Sequence, residues 1–476
     1  SVIISCQQNF NKIITLNYSK ISSRIMQRKA ILLVSLSLLT IICSYGVVSA
    51  AAPDLVLIVA RHGARAPIDT IYDTTWGDQY EQLTKTGARQ HYLLGAALRA
   101  NYSGGALKNY TPSSVYLRAH SQNRTLQSIY AQALGLFPPG TGPILSNGTD
   151  ALDNLLQPVP VHSINTTQEY LLDSVSPTVC PIQPYLQRNE ADPEAQEIIQ
   201  MIQPTFTKFS EVYGRNVSLN ELSYIFDTLI CDWTQNKTFP ANLSFIEYGN
   251  DYWKNMSFAH DWWDMYSDFS TFQQRGLYSV NILNEITARF NNYLTQKAGT
   301  APTFLSYLGH DTTLDPILAL FNITTHDCIK SNYLNGSNTN PACHIPYFAS
   351  SLKFELYKVT NANDSYLRFY YDDAEINLCP NGTTPCTVQL FNQTVTNLTN
   401  GTDLQGYYQQ CYYMQAERVD EGKGLKMALW ILLGVNGLLI LGFIFACIYK
   451  KKLQTSSVYD DYYSSTPSPT QKNLNP

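Results

Sequence analysis

A short apolar run at residues 54–60 passes directly into the motif R-H-G-A-R-A-P at residues 61–67. The run is uninterrupted and rich in β-branched residues, which predicts a buried β-strand. Two guanidiniums and an imidazole therefore follow immediately after a core strand. Arginine forks suit phosphate oxygens, and Gly63 permits close approach of the backbone. The segment predicts an anion-binding loop at the end of a buried strand, and a solvated basic turn is the alternative.

Two other apolar segments also end in ionisable side chains. Residues 115–117 lead into Arg118, and residues 303–308 lead into Gly309, His310 and Asp311. In open α/β sheets, ligands bind in the crevice outside the carboxyl ends of the strands. We therefore expect these groups to meet at one edge of a sheet.

The segments between these strands, residues 87–100 and 125–134, have a helical pattern with few breakers. This alternation predicts an α/β fold, a doubly wound sandwich around a mostly parallel sheet. Residues from about 158 to 296 lack the alternation and contain clustered tryptophans. We interpret them as a mainly helical insertion that caps the site.

The motifs resemble those of the histidine acid phosphatase family, of the prostatic and lysosomal type. The matching segments are residues 61–70, 80–84, 87–95, 118, 124–126, 135–139, 309–313 and 346–350, and similarity extends from about residue 53 to residue 411. The resemblance implies a phosphoglycerate-mutase-like fold. It also implies an acid phosphatase, a phosphoric monoester hydrolase that forms a phosphohistidine and needs no cofactor.

Other phosphatase chemistries lack their residue patterns in this sequence. It contains no H-E-x-x-H, paired C-x-x-C or D-x-D-x-T motif, so neither a metal cage nor an aspartyl nucleophile is predicted. The cysteine phosphatase spacing C-x5-R is also absent. An imidazole remains as the nucleophile, and His62 lies between two arginines. We therefore predict a site without a metal ion.

The predicted site contains two catalytic residues, His62 and Asp311, and four that bind substrate, Arg61, Arg65, Arg118 and His310. The arginines neutralise the phosphoryl oxygens, and His310 donates a hydrogen bond to them. Asp311 protonates the departing alkoxide and later deprotonates the attacking water. A free Asp titrates near pH ~4, which suits an acidic compartment. Capping of the following helix is the structural alternative for Asp311.

One segment departs from the family pattern. The family usually reads R-S-T-D-x-x-R-T around its third arginine, whereas residues 118–125 read R-A-H-S-Q-N-R-T. Arg118, Arg124 and Thr125 are retained, but the family's Asp is replaced by Gln122 or Ser121. The hydrogen bonding of the pocket is therefore not inherited from the resemblance. His120 could reach the edge of the site.

Apolar segments near both ends divide the chain. Met26 precedes basic residues, an apolar run and a small-residue exit, which predicts a signal peptide over 26–52. Residues 1–25 are then an upstream extension. A second uncharged run, 427–449, is followed by three lysines and predicts a membrane span with a cytoplasmic C-terminus. The expected organisation is completed by a luminal phosphatase domain at 53–420 and a disordered cytoplasmic tail at 450–476.

Dense N-x-Ser/Thr sequons and several cysteines lie between the two apolar segments. In an oxidising compartment these features predict a glycoprotein with disulfides. By resemblance, Cys180 pairs with Cys411 and Cys379 with Cys386. The family partner of Cys231 is replaced by Ser351. Cys328 or Cys343 could substitute for it, which would leave one odd thiol.

Three functional hypotheses follow. The first is a broad phosphatase acting on small-molecule phosphomonoesters in a lysosomal, endosomal or extracellular space. The second keeps the fold but narrows the substrate to inositol phosphates or lysophosphatidate. The third is a non-catalytic membrane glycoprotein, which would be expected to lose His62 or Asp311. The net charge of −5 gives no support to nucleic-acid binding, and homodimer formation stays open.

Overall fold

The computed structural model describes residues 52–413 except 69–75, 77–78, 109, 298 and 337–341, together with the isolated positions 439, 441, 442, 444 and 446. The predicted upstream extension, the signal peptide before residue 52 and the C-terminal tail lie outside these residues. So does nearly all of the predicted membrane span. No helix within the described part of the chain is long and apolar enough to cross a membrane.

The described residues form one eight-stranded sheet with the order β3-β2-β4-β1-β5-β6-β7, in which β8 pairs with β6. The strands are β1 (Leu55–Arg61), β2 (Val115–Ala119), β3 (Val161–His162), β4 (Phe304–Gly309), β5 (Ser351–Tyr357), β6 (Tyr366–Tyr371), β7 (Ala374–Ile376) and β8 (Cys386–Thr387). Strands β1 to β4 run parallel, and the β5 side of the sheet is antiparallel.

The predicted α/β class is confirmed, but the sheet is mixed rather than mostly parallel. Its antiparallel half comes from strands that the sequence patterns did not reveal. A turn at Asp372 and Asp373 joins β6 to β7, whereas a parallel connection requires a crossover of about a dozen residues or more. These short connections therefore allow only antiparallel pairing.

Helices cover both faces of the sheet. They are α1 (Lys85–Tyr102), α2 (Asn123–Leu136), α3 (Gln183–Leu186), α4 (Pro193–Met201), α5 (Gln203–Tyr213), α6 (Leu219–Thr234), α7 (Asp251–Phe269), α8 (Phe272–Thr295), α9 (Asp311–Leu320), α10 (His326–Asn335), α11 (Val388–Leu398) and α12 (Leu404–Tyr408). Alternate side chains of β1 enter two cores, one shared with α1 and α2 and the other with α8, α9 and α11. All of β1 is buried as a result, which explains its uninterrupted apolar sequence.

Helices α3 to α7 surround a separate aromatic and aliphatic core. They lie within the segment predicted as a cap, but the predicted limits also include parts of the main domain. Strand β3 pairs with β2 through Val161 and Leu117. The second half of α8 packs on the sheet through Ile282, Ile286 and Phe290. Helix α8 thus contributes to the cap core and to a core of the sheet. No boundary at a single residue can therefore separate the cap from the main domain.

Three disulfides are formed by the described residues. Cys180 pairs with Cys411 and Cys379 with Cys386, as the resemblance implied. The third joins Cys328 to Cys343, so neither substitutes for the missing partner of Cys231. Among the described cysteines, Cys231 is the free thiol, and it is fully buried in α6.

Candidate active site

The ends of β1 and β4 and the segment before β5 meet at one edge of the sheet. The His62 amide donates to the Gly309 carbonyl at 3.0 Å, and the His62 carbonyl accepts from the Ala349 amide at 3.0 Å. The Arg61 amide donates to the Ser350 carbonyl at 2.9 Å. Backbone hydrogen bonds therefore fix the predicted loop at the carboxyl end of the parallel strands.

His62 is held as a neutral ring with one free nitrogen. Its Nδ1 lies 2.8 Å from the Gly63 carbonyl oxygen. Since a carbonyl only accepts, Nδ1 carries the proton and Nε2 keeps its lone pair. Burial lowers the pKa of His62 well below its usual value, and the charges of His310, Arg124, Arg61 and Arg65 lower it further. This imidazole can attack phosphorus without first losing a proton.

Three contacts position the loop from beneath. A Cβ atom on Gly63 would collide with the backbone of Gly87 in α1, so glycine is required by this close approach. The Gly63 amide donates to Ser128 Oγ at 3.1 Å. Buried His91 donates from Nε2 to the Arg61 carbonyl at 2.9 Å. His91 is thus a positioning residue beneath the loop.

Arg61 links the two predicted catalytic motifs. Its Nη2 lies 2.7 Å from Asp311 Oδ2, and its Nη1 donates to the Pro346 carbonyl at 2.6 Å. The guanidinium carbon lies 4.4 Å from the Phe348 ring centroid. Burial alone would raise the pKa of Asp311, but Arg61, His310, Arg65 and the hydrogen bond from the Thr312 amide together outweigh burial and lower it to about 2. The Asp311 carboxyl is therefore ionised in the unliganded site, because its pKa lies below that of a free Asp.

Arg65 faces the same cluster but is anchored to α6. Its Nη1 and Nη2 each donate to an Asp227 carboxylate oxygen at 3.0 Å. Cys231 Sγ lies 3.5 Å from Nη1. Burial opposes ionisation of Asp227, yet the Arg65 charge keeps the pKa of this carboxyl below its usual value. The bidentate pair holds the guanidinium rigidly against the sheet edge.

Arg118, predicted in the phosphate clamp, binds a different group. Strand β2 continues to Ala119, so Arg118 lies inside the strand rather than beyond its end. Its Nη2 lies 2.7 Å from Glu169 Oε1, which also accepts from the amides of Leu171 and Leu172. The structure does not bring Arg118 together with His62 and Asp311.

Arg124 supplies the third guanidinium of the cluster instead. It lies in the first turn of α2 and is almost fully buried. One guanidinium nitrogen donates to Glu81 at 2.9 Å, and its charge lowers the pKa of both His62 and His310. A basic residue in the first turn of the helix that follows β2 was the available sequence signal.

His310 and His120 form an imidazole pair at the site. Nε2 of His310 lies 2.7 Å from Nδ1 of His120, and both rings are buried. One nitrogen must donate and the other accept. His120 Nε2 has no partner among the described residues. Burial is the main cause of the lowered pKa of each ring, to about 4 for His120. His120 therefore belongs to the site, not only to its edge.

A family model described as the histidine phosphatase superfamily, branch 2, matches residues 54–372. This chain belongs to that superfamily. The match spans every strand-end motif of the site. Among curated superfamily members, lysosomal acid phosphatase of Xenopus laevis is 29% identical over 349 residues, covering 70% of this chain and 71% of that protein. The human lysosomal acid phosphatase is 27% identical over 382 residues, covering 75% and 79% respectively.

Two solved phytase structures share the fold of this chain. The Citrobacter braakii phytase superposes with a TM-score of 0.52 at 15% identity, covering 73% of this chain and 98% of that chain. The Klebsiella sp. ASR1 phytase gives 0.51 at 18% identity, covering 75% and 97%. At these identities the likeness concerns the fold alone.

One group of side chains within the described ranges could hold a metal ion, and it lies outside the site. Ligating atoms of Glu194, His326 and Asp327 lie within 4.8 Å of one another. They come from the first turns of α4 and α10. Carboxylates at helix N-termini are stabilised by the helix dipole without any ion. None of these three residues belongs to the catalytic cluster.

Proposed function

We propose that this chain is an acid phosphatase that hydrolyses phosphate monoesters through a phosphohistidine on His62, without a metal ion. The carrying observation is the buried, neutral His62 Nε2 surrounded by Arg61, Arg65 and Arg124. A dianionic phosphoryl group needs positive charge on its equatorial oxygens and an in-line nucleophile. This arrangement supplies both from protein side chains.

Substrate binding begins when a phosphoryl group replaces Asp311 as the partner of Arg61. In the unliganded site Arg61 binds Asp311 at 2.7 Å, so the phosphoryl oxygens compete with this carboxylate. Arg65 and Arg124 each retain an acidic partner at one side of the guanidinium, and both Nε atoms have no hydrogen-bond partner among the described residues. These buried donors favour an anionic ligand.

The reaction then proceeds in two displacements. His62 Nε2 forms a bond to phosphorus as the ester oxygen–phosphorus bond breaks, and Asp311 transfers a proton to the departing alkoxide. Asp311 next takes a proton from water, whose oxygen attacks phosphorus as the phosphorus–nitrogen bond breaks. Inorganic phosphate leaves, and His62 is again neutral. His310 donates to a phosphoryl oxygen in both steps.

An acidic pH optimum follows from the charges of the site. Because burial and the surrounding cations keep the pKa of His62 well below its usual value, the nucleophile stays neutral in acid. Asp311 is ionised before substrate binds. A phosphate dianion that takes over Arg61 raises the pKa of Asp311 through both the lost cation and the added negative charge. The substrate complex therefore gains the proton that the leaving group needs.

We also propose that the domain faces the lumen of a lysosome or endosome, or the cell surface, as part of a single-pass type I glycoprotein. The predicted signal peptide, sequons and membrane span support this location. Three disulfides in the described domain are consistent with an oxidising compartment. Relatives named lysosomal acid phosphatase favour the lysosome.

The assay that tests the function uses the full-length protein from a secretory host. We expect hydrolysis of p-nitrophenyl phosphate between pH 4 and 6 in the presence of a chelator, with an acid-labile phosphoenzyme trapped by rapid denaturation. His62→Ala should lose both turnover and the phosphoenzyme. His162→Ala, at an exposed ring outside the site, is the matched control. Wild-type rates in His62→Ala would contradict the mechanism, and no activity in the wild type would support a non-catalytic glycoprotein.

The second candidate function is that of an inositol phosphate phosphatase, because phytase structures share this fold. It predicts that inositol hexakisphosphate is hydrolysed in preference to simple monoesters. The first candidate is favoured because the relatives that match over most of this chain are named lysosomal acid phosphatases.

A further inference from the structure

Two adjoining cavities open beside the catalytic cluster. One, of about 700 Å³, is lined in part by Arg65, Asp311 and Thr312. The other, of about 370 Å³, is lined in part by Arg61 and Phe348. Asp227 and His260 line both. Since both reach the side chains proposed to bind phosphate, the alcohol part of a substrate must lie in this leaving-group cleft.

The smaller cavity has aromatic walls. Trp233 and Tyr248 stack with centroids 4.8 Å apart and an interplanar angle of 8°. Trp253 lies 6.0 Å from Trp233 and 5.2 Å from Tyr248 at tilted angles. Trp233 and Tyr248 remain 43% and 66% exposed, unlike the packed rings of the cap core. Faces of electron-rich rings around a cavity attract cations.

The carboxyl groups of the cleft come from α7 and α9. Asp261 lines the aromatic cavity, and its carboxylate makes no hydrogen bond or ion pair with the described residues. Asp264, Asp268 and Asp315 line the larger cavity. Asp315 is 2% exposed, and its Oδ1 has no hydrogen-bond partner among the residues that the structure covers. A buried acceptor without a donor favours a ligand that brings one.

The basic side chains of the cleft each have a partner other than Asp261. His260, which lines both cavities, lies with its Nδ1 3.7 Å from Asp264 Oδ2. Arg65 is taken by Asp227, and Arg61 by Asp311 in the absence of substrate. Arg188 donates to Ser270 Oγ at 3.1 Å and shares the larger cavity with Glu190. Beyond the phosphate-binding arginines, the cleft is therefore both acidic and aromatic.

We propose that this cleft selects phosphate monoesters of cationic amino alcohols, with the ammonium group held against the aromatic wall of Trp233, Tyr248 and Trp253 and beside the carboxylate of Asp261. The selection rests on the proposed phosphatase function. The aromatic faces and the carboxylate both favour positive charge, while the same carboxylates disfavour additional phosphates on the leaving group. Aromatic walls alone would favour aryl esters equally, so the charge of the leaving group is the discriminating property.

An isosteric pair of substrates separates charge from shape. Phosphocholine and 3,3-dimethylbutyl phosphate differ only in a quaternary nitrogen replaced by carbon. Burial raises the pKa of Asp261 to about 7, so the measurements are made at pH 8, where this carboxyl is ionised. For the full-length wild type we expect kcat/KM for phosphocholine to exceed that for the neutral isostere at least tenfold. Asp261→Asn and Trp233→Leu should each reduce this ratio to below threefold. Asp153→Asn, an exposed acid outside the cleft, should leave the ratio unchanged.

A binding measurement decides the inference even if no turnover is found. Choline should quench the tryptophan fluorescence of the wild type at concentrations at least fivefold lower than 3,3-dimethylbutanol does, and Trp233→Leu should remove this difference. Equal binding and equal kcat/KM for the two members of each pair would overturn the proposal. So would higher kcat/KM for inositol hexakisphosphate than for phosphocholine. Loss of all phosphatase activity with retained choline selectivity would instead contradict only the proposed function.

Discussion

Arg61 Nη2 and Asp311 Oδ2 lie 2.7 Å apart, so the predicted phosphate ligand and the predicted general acid neutralise each other in the unliganded site. Burial raises the pKa of Asp311, but Arg61, with His310 and Arg65, more than offsets burial and lowers it to about 2. A carboxylate in this state cannot protonate a leaving group at pH 5. Phosphate binding must therefore be linked to proton uptake.

This linkage predicts that a dianion binds together with a proton. Calorimetry of sulfate binding to the full-length protein at pH 5, in two buffers of different ionisation enthalpy, should show net proton uptake. Sulfate is used because it stays fully ionised at this pH, so the proton must enter the protein. In Asp311→Asn the uptake should fall markedly while sulfate still binds. Undiminished uptake in that variant would assign the proton to another group.

Asp311→Asn also separates substrates by their leaving groups. An amide can still accept the hydrogen bond from the Thr312 amide, now at 2.8 Å, so the fold should survive. It cannot deliver a proton, so kcat for a simple alkyl phosphate should fall far more than kcat for p-nitrophenyl phosphate. Measuring kcat of the wild type and of Asp311→Asn on both esters at pH 5 tests this prediction. An equal fall would make His120 the next proton donor to examine.

Arg124 and Arg118 should differ in the property that they affect. Arg124→Gln should lower kcat/KM about 100-fold, comparable to loss of one oxyanion donor, with little change in the melting temperature. Arg118→Gln should instead destabilise the fold by about 3 kcal/mol, because it leaves Glu169 buried without its cation. The double variant Arg118→Gln/Glu169→Gln should regain much of this stability. A large kcat/KM loss in Arg118→Gln at unchanged stability would restore it to the phosphate clamp.

His120 should act through His310, whose Nε2 lies 2.7 Å from it. His120→Ala removes this partner and should lower kcat/KM about 10-fold, as expected for the loss of one hydrogen bond worth about 1.4 kcal/mol. His120→Asn can place an amide near the lost Nδ1 and should recover part of the rate. Matched thermal melts distinguish a positioning role from simple loss of packing. Equal activity in the Ala and Asn variants would remove His120 from the site.

We predict that Asp261 makes a pH-dependent contribution to the free energy of unfolding. Burial raises its pKa to about 7, with Asp264 adding to the shift and His260 and Arg61 opposing it. The unfolded carboxyl ionises near pH ~4, so between pH 4 and 7 the folded state binds more protons and this group's contribution falls as pH rises. Asp261→Asn removes the effect. Its melting temperature relative to wild type should therefore be a few degrees higher at pH 7.5 than at pH 5.

The buried histidines contribute to stability with the opposite pH dependence. Burial lowers the pKa of His91 and His120 to about 4, so unfolding takes up protons at these rings below the usual His pKa. Their contribution falls in acid. Because both the wild type and Asp261→Asn contain them, the difference between the two melting profiles isolates the carboxyl. An identical difference at both pH values would contradict the raised pKa.

The local sequence was sufficient for the strand-end loops. The apolar run of β1 predicted a buried strand, and Arg61, His62, His310 and Asp311 do meet at its carboxyl end. The positions of these strand-end residues depend only on short-range sequence information. A continuous apolar run has few ways to be buried, and the residue that follows a parallel strand must emerge at the sheet edge.

Only the tertiary structure decided which arginine completes the cluster. Strand β2 extends to Ala119, and a shift of one or two residues in a strand end changes both the position and the face of a side chain. Arg118 consequently pairs with Glu169, which lies 51 positions along the chain, while Arg124 reaches the site from α2. The free thiol at Cys231 and the acidic, aromatic leaving-group cleft likewise depend on contacts between distant segments. Sequence patterns determine local burial and strand-end chemistry, whereas long-range packing determines which of these side chains share a site.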